Sequence, residues 1–390
     1  MEQALTLVCK LQPTEEEARH IDATLTAFAD ACAYIHATIP ERIVNVMRMQ
    51  AMLYYDVRGR SGLSSNLAQQ AFRRVSGNRK TAKARGDTVK EFDPTSIQYD
   101  QRIFSCNERD GTVSLTLLHG RAHFRMHLGN YQRGKLKGHK PTSAQLCKHA
   151  DGSYAIHIQV KVSVPSTIPP TDVLGVDLGR TDIAHTSEGK RWDGGDIRRC
   201  RERFARLRAA LQHKASKGTR STRRRCRQLL DRLSGRERRF QRWVNHGISK
   251  TLVETATDAQ AALAMEDLTG IRERTNQEPR RKDERRRGNS WAFYQLRQFV
   301  TYKAALAGVV LYLVPAAYTS KMCHRCLHIG SRQGKRFACT NHRCGWTGDA
   351  DFNGAQNIKI LGEQVSLPRG PWVHSLWSGE PNGLLESPQL

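Results

Sequence analysis

Residues 323–358 read CHRCLHIGSRQGKRFACTNHRCGWTGDADFNGAQNI: two close cysteine pairs, then an acid at the head of a helix-like run. Cys323 and Cys326 form the first pair and Cys339 and Cys344 the second, with a short basic, aromatic-bearing loop between them. Paired thiolates at such spacing fit tetrahedral Zn²⁺, and a shell closed by four of them keeps no position for a catalytic water. One structural Zn²⁺ is therefore expected, with its binding energy serving as the folding energy of a small ribbon. The second pair encloses four residues rather than two, which leaves His342 as an alternative to one thiol. His324 and His328 are weaker substitutes.

The acid after the cysteines, Asp351, has two counterparts upstream. GVDLG (175–179) ends an apolar strand at Asp177, and AQAALAMEDL (259–268) ends another at Glu266. Three carboxylates spread over about half the chain, each at the border of an apolar strand or helix, are what an RNase H-like nuclease core asks for. Two-metal phosphodiester hydrolysis needs carboxylates that hold two ions roughly 3.5–4 Å apart. Mg²⁺ (or Mn²⁺) suits them because it prefers hard oxygen ligands. Gly175 and Gly179 frame Asp177 and allow close backbone approach. Asp349 suits a helix N-cap or supporting role beside Asp351, and strand alternation points Asp267 away from Glu266.

The bulk composition selects the partner. A formal charge of +26 and a pI near 10.1 on 390 residues imply a polyanion, bound with steep salt dependence. Structural RNA binding explains the charge equally well but leaves the spaced carboxylates without a role. A 38% hydrophobic content with well-spaced apolar positions excludes a disordered chain. No apolar run approaches the roughly 20 residues of a membrane span, and the N-terminus lacks a basic n-region and cleavage site. A soluble cytoplasmic protein without membrane contact is expected. Cys9, Cys32, Cys106, Cys147, Cys200 and Cys226 follow no spacing and read as ordinary thiols.

The chain reads as an α+β multidomain protein. ALTLVCKLQP (4–13) alternates as a strand, and Thr14 with Glu17 forms a capping box before a helix whose inner face is Ile21, Leu25, Phe28, Cys32 and Ile35. Helical texture runs to about residue 93, then short alternating strands run from Pro94 to Val164. Residues 1–12 and 94–168 are thus expected to form a β-barrel with 13–93 as a helical insertion. STIPPTD (166–172) marks a boundary. Beyond it, 169–320 and 347–362 are expected to form an α/β nuclease domain, with 321–346 the inserted zinc ribbon. That domain opens with three strands and two basic helices. The second helix carries an apolar stripe of Leu230, Leu233, Phe240 and Trp243 opposite an arginine face that includes Arg223, Arg224 and Arg225, expected to grip nucleic-acid backbone. A charged loop at 272–290 is expected to be mobile without a ligand, and the tail 363–390 poorly ordered.

In the order GVDLGRTDIAHTSEG, AMEDLTGIR, WAFYQLRQFVTYKAALAG, YTSKMCHRCLHIG and CGWTGDADFNGAQNI, the chain resembles the TnpB family of transposon-encoded nucleases, relatives of the type V CRISPR effectors. The resemblance is specific over 172–362 and looser over the N-terminal half, where barrel and helices are similar to wedge and recognition lobes. It implies a RuvC triad of Asp177, Glu266 and Asp351 beside a zinc ribbon. It also implies a transposon-end guide RNA that pairs with double-stranded DNA next to a short adjacent motif, both strands being cut at one site. Asn66 and Gln70 lie where family members read that motif, and amides bind adenine bidentately. DADFNGA stands where family members often show DRDxNAA, a form also familiar among type V effectors. A monomeric protein is expected. An array-guided CRISPR effector, a nuclease-silent guided regulator and a non-catalytic basic zinc-ribbon RNA binder are the alternatives.

Overall fold

The computed structural model describes residues 2–167, 169–179, 181–269 and 293–366. The charged loop at 272–290 and the tail beyond 366 lie outside the described residues. The chain divides into two compact units, one up to Ser163 and one from Val164.

In the first unit β1 (Glu2–Leu11) alternates strictly, burying Leu5, Leu7, Cys9 and Leu11. The capping box forms: the Glu17 carboxylate accepts from the Thr14 N–H at 2.7 Å, and the Thr14 hydroxyl accepts from the Glu17 N–H at 3.3 Å. It starts α1 (Glu15–Thr38), whose buried side includes Ile21, Leu25, Phe28, Cys32 and Ile35. Helices α2 (Val46–Ser61) and α3 (Ser65–Arg85) pack with it. There follow β2 (Ser96–Asp100), β3 (Phe104–Asn107), β4 (Thr112–Leu117), β5 (Gly120–His127), a short α4 (Asn130–Leu136), β6 (Pro141–Lys148) and β7 (Tyr154–Ser163).

The seven strands form one antiparallel sheet in the order β2-β6-β7-β1-β5-β4-β3. Its two edge strands are consecutive in sequence, joined only by Gln101–Ile103. A flat sheet would set those edges about 29 Å apart, whereas this connection reaches at most about 14 Å. The sheet therefore curls until it nearly closes, around a core that includes Tyr99, Phe124 and Ile156.

The second unit opens with β8 (Asp172–Asp177), β9 (Asp182–Thr186) and β10 (Arg191–Asp193). Three basic helices follow rather than two: α5 (Gly195–Lys217), α6 (Arg220–Leu233) and α7 (Arg236–Asp258). Gly235, at φ +74°, breaks the expected single helix, because a left-handed residue ends helical register at little cost only in glycine. The apolar stripe is split accordingly. Leu230 and Leu233 stay on α6, while Phe240 packs on the core from α7 and leaves Trp243 71% exposed.

Then come β11 (Ala261–Asp267), α8 (Phe293–Ala307), β12 (Leu311–Pro315), the ribbon strands β13 (Gly330–Gln333), β14 (Arg336–Cys339) and β15 (Thr347–Asp349), and α9 (Ala350–Ser366). The last helix extends four residues past the point where disorder was expected, residues 363–366 being helical. The main sheet runs β10-β9-β8-β11-β12, antiparallel over its first three strands and parallel over β8, β11 and β12. No described helix is long and apolar enough to cross a membrane.

Strands β8 and β11 are buried on both faces, which is why they read as nearly unbroken apolar runs. Leu174, Val176, Leu263 and Met265 pack with α7 and α8. Val173, Ala262 and Ala264 pack with Ile358 of α9 on the other side. Helix α9 approaches to backbone contact: a Cβ on Gly175 would lie 2.2 Å from the Ala355 carbonyl oxygen and 2.5 Å from the Lys359 nitrogen. One on Gly362 would lie 2.6 Å from the Ala264 Cβ. Because backbone cannot yield as a side chain can, Gly175→Ala is expected to push α9 off the sheet at a cost of about 3 kcal/mol. Urea unfolding of the purified protein reads this directly as a lower midpoint at unchanged slope.

Candidate functional site

The two-residue strand period places the acids. Asp177 lies two residues past Gly175, and Glu266 two past Ala264, so both fall on the α9 side of the sheet. Met265 lies opposite Val176 in the parallel β8–β11 pair, which sets Glu266 beside Asp177, with backbones about 4.8 Å apart. Asp351 is the second residue of α9, and a Cβ on Gly354 would sit 3.2 Å from Asp177 Oδ2. The first turn of α9 thus covers the Asp177 carboxylate, and the three separated acids meet at one end of the sheet. Glu266 is 8% and Asp351 5% exposed.

Their surroundings leave the charge unbalanced. Burial, then the charges of Glu266 and Asp351, push the Asp177 carboxyl well above its ordinary range, against the pull of Arg332 and the Leu178 N–H. Burial likewise raises Glu266, opposed by a hydrogen bond from the Thr319 hydroxyl and by the charge of Arg332. Arg332 Nη2 donates to Asp351 Oδ1 at 2.7 Å. Among the described residues, three clustered acids facing the Arg332 guanidinium make a hard-oxygen donor set of the kind a divalent cation fits. Asp349 caps α9, accepting from the Asp351 and Phe352 N–H groups at 2.8 and 2.9 Å. Asp267 faces the other way and pairs with Arg297 at 2.7 Å.

Cys323, Cys326, Cys339 and Cys344 bring their sulfurs within 4.8 Å of one another, with pairs at 3.4 and 3.9 Å. Four thiolates around one Zn²⁺ at about 2.3 Å stand about 3.8 Å apart, so the donor set fits that ion. His342 is exposed and is not one of this group. Residues in left-handed conformation, Leu327 (φ 61°) and Gly345 (φ 58°), follow the second cysteine of each pair and turn the chain back.

The ribbon is tied to the acids by residues that sequence reasoning passed over. Asn353 and Asn357, one turn apart on α9 and both fully buried, donate to the Met322 carbonyl at 2.6 Å; Asn357 donates also to that of Thr319 at 2.8 Å. Asn353 Oδ1 accepts from the His324 N–H at 3.0 Å, inside the first cysteine loop. A polar pair at i and i+4 on an otherwise buried helix face was the available signal. Arg332 gave none, being one arginine among many in a basic chain.

The expected nucleic-acid contacts divide. Arg224 and Arg225, with Ser221, Gln228, Leu229 and Arg232, line an open groove of about 470 Å³ along α6. Arg223 instead turns back, Nε donating to the Gly218 carbonyl at 3.2 Å. Gln70, expected to read the adjacent motif, is 4% exposed and donates to Asp100 at 3.1 Å. Asn66 is partly buried. A stretch not singled out from sequence, residues 111–150, holds no Asp or Glu. Within it β5 turns Arg121, His123, Arg125 and His127 to its exposed face.

A family model described as Cas12f1-like, TNB domain, matches residues 293–358. The TnpB-like protein MJ0751 of Methanocaldococcus jannaschii is 30% identical over 207 residues, 51% of this chain and 72% of that one. The CRISPR-associated endodeoxyribonuclease Cas12f1 of Sulfoacidibacillus thermotolerans is 28% identical over 241 residues, 58% of this chain. The match spans 54% of that relative's length. A solved structure, the Cas12f1-sgRNA-target DNA complex, shares the fold with a TM-score of 0.55 at 13% identity, over 89% of this chain and 83% of that one.

Proposed function

The chain belongs to the TnpB family, and on that premise we propose that it is an RNA-guided DNA endonuclease of transposon origin with a metal-dependent RuvC-like site. The observation that carries the proposal is the convergence of Asp177, Glu266 and Asp351 at one sheet end, with their charge only partly offset. On this reading residues 169–320 and 347–362 form the RNase H-like nuclease domain, 321–346 the zinc ribbon, 1–12 and 94–168 the wedge, and 13–93 the recognition insertion. The guide RNA comes from the transposon end, and target DNA is opened beside a short adjacent motif.

Asp177, Glu266 and Asp351 would hold two Mg²⁺ or Mn²⁺ ions, which when bound supply an activated water and a stabilised leaving oxygen. The chain's own residues fix the geometry: Thr319 orients the Glu266 carboxylate, Asp349 holds the first turn of α9, and Arg332 supplies a positive charge at the rim. The α6 groove and the β5 face give separate basic surfaces for phosphate backbone. Thr319→Val removes a hydrogen bond to a charged group, so DNA cleavage is expected to slow by about 10-fold or more, with RNA affinity unchanged in a filter-binding assay.

An array-derived guide is the second reading, supported by the likeness to a CRISPR-associated Cas12f1. Purifying the protein with its native downstream locus and sequencing the bound RNA decides between them. A transposon-end RNA supports the first reading, repeat-spacer RNA the second, and the absence of a discrete RNA defeats both.

A further inference from the structure

We infer that Lys335 and Asp182 are a positioning pair that pins the ribbon hairpin to the catalytic sheet and so holds Arg332 on the carboxylate cluster. Lys335 Nζ donates to both Asp182 oxygens at 2.8 Å. Asp182 is 2% exposed and opens β9, in the hairpin that also carries Asp177. The Lys335 carbonyl accepts from the Ala350 N–H at 2.7 Å, at the start of α9.

Across the turn at Gly334 (φ 60°), Arg332 Nε donates to the Gly334 carbonyl at 3.2 Å while Nη2 holds Asp351. The hairpin tip therefore touches two of the three chain segments that supply acids, α9 through Arg332 and the β8–β9 hairpin through Lys335. A carboxylate as buried as Asp182 persists only when its charge is matched. Asp182 lies outside the three-acid cluster, so its role is to hold Lys335 rather than to bind the cation. The far end of the ribbon carries the four cysteines, and among the described residues Lys335 adds to the Arg332 contact and the Ala350–Lys335 backbone hydrogen bond at the tip.

The consequence is an electrostatic one. Arg332 and a divalent cation compete for the same carboxylates, and the Lys335–Asp182 pair sets how firmly Arg332 competes. The geometry stands without any nuclease activity; only the effect on cleavage rests on the function proposed above.

The test is Mn²⁺ binding to the full-length, zinc-loaded protein by titration calorimetry, with cleavage measured in parallel. Arg332→Met is expected to tighten Mn²⁺ binding by about 10-fold, as removal of a nearby like charge does. Lys335→Met is expected to give a similar factor alone but less than about 2-fold in the Arg332→Met background, because it acts through Arg332. Asp182→Asn should match Lys335→Met, Lys335→Arg should restore wild-type binding, and zinc content should stay at one ion per chain throughout. Unchanged Mn²⁺ affinity in Lys335→Met, full multiplication of the two factors, or failure of Lys335→Arg to rescue would each overturn the inference. The predicted coupling in a protein that cuts no DNA upholds the pair and counts against the nuclease; cleavage with independent effects on Mn²⁺ does the reverse.

Discussion

Replacing Asp177 with asparagine is expected to abolish DNA cleavage while making the metal-free protein more stable. The two effects have one cause. Asp177 shares a buried corner with Glu266 and Asp351, and burial together with their charges holds its carboxyl well above the ordinary range. It therefore binds its proton more tightly folded than unfolded. The contribution of Asp177 to metal-free stability is fully present below the ordinary aspartate pKa and is lost as pH rises through the raised folded value. Asparagine keeps the shape and removes that loss, for a gain of about 1–2 kcal/mol at neutral pH. It also removes a proposed cation ligand, and cleavage should fall by roughly 10³-fold or more. Thermal melts at pH 5 and pH 8 without divalent cation check the first half: the advantage of Asp177→Asn should widen with pH and shrink when Mg²⁺ is added.

The second large effect is zinc removal. Phe337 and Ala350 are the only other fully packed residues around Cys323 in the ribbon's small core among the described residues. With so little apolar surface, a Zn²⁺ on the four sulfurs would hold the ribbon together. Cys323→Ser, or stripping by a strong chelator, is expected to unfold residues 321–349 and make them sensitive to protease. Arg332, Lys335 and the His324–Asn353 hydrogen bond are lost with them. Helix α9 stays seated through its contacts at Gly175 and Gly362, so the sheet should survive and RNA binding should persist while cleavage falls by more than about 10²-fold. Limited proteolysis and filter binding on the same sample read both outcomes.

The elements legible in the sequence are those fixed by short-range chemistry. Thr14 and Glu17 announce α1 because a capping box needs only four residues. The three acids stood out because each ends an apolar strand or opens a helix, and the strand period then assigns Asp177 and Glu266 to one face. The four cysteines are legible for the same local reason. Three-dimensional closure is not local. Lys335 meets Asp182 across 153 positions, and no pattern around either residue marks the other. Gln70 gives no local sign of its partner, yet it is buried and donates to Asp100 at the end of β2. Gly235 lay within a basic run whose helical stripe appeared continuous on both sides, and only its positive φ separates α6 from α7.

The most direct test of a guided nuclease built on these carboxylates is cleavage of a target library with randomised flanks by the protein purified with its own RNA, in Mg²⁺, beside the Asp177→Asn form. Double-strand cuts at guide-matched sites next to one flank, absent in Asp177→Asn although its RNA is retained, are the predicted result. Guide-matched binding without cuts, or equal cutting by both proteins, would contradict it.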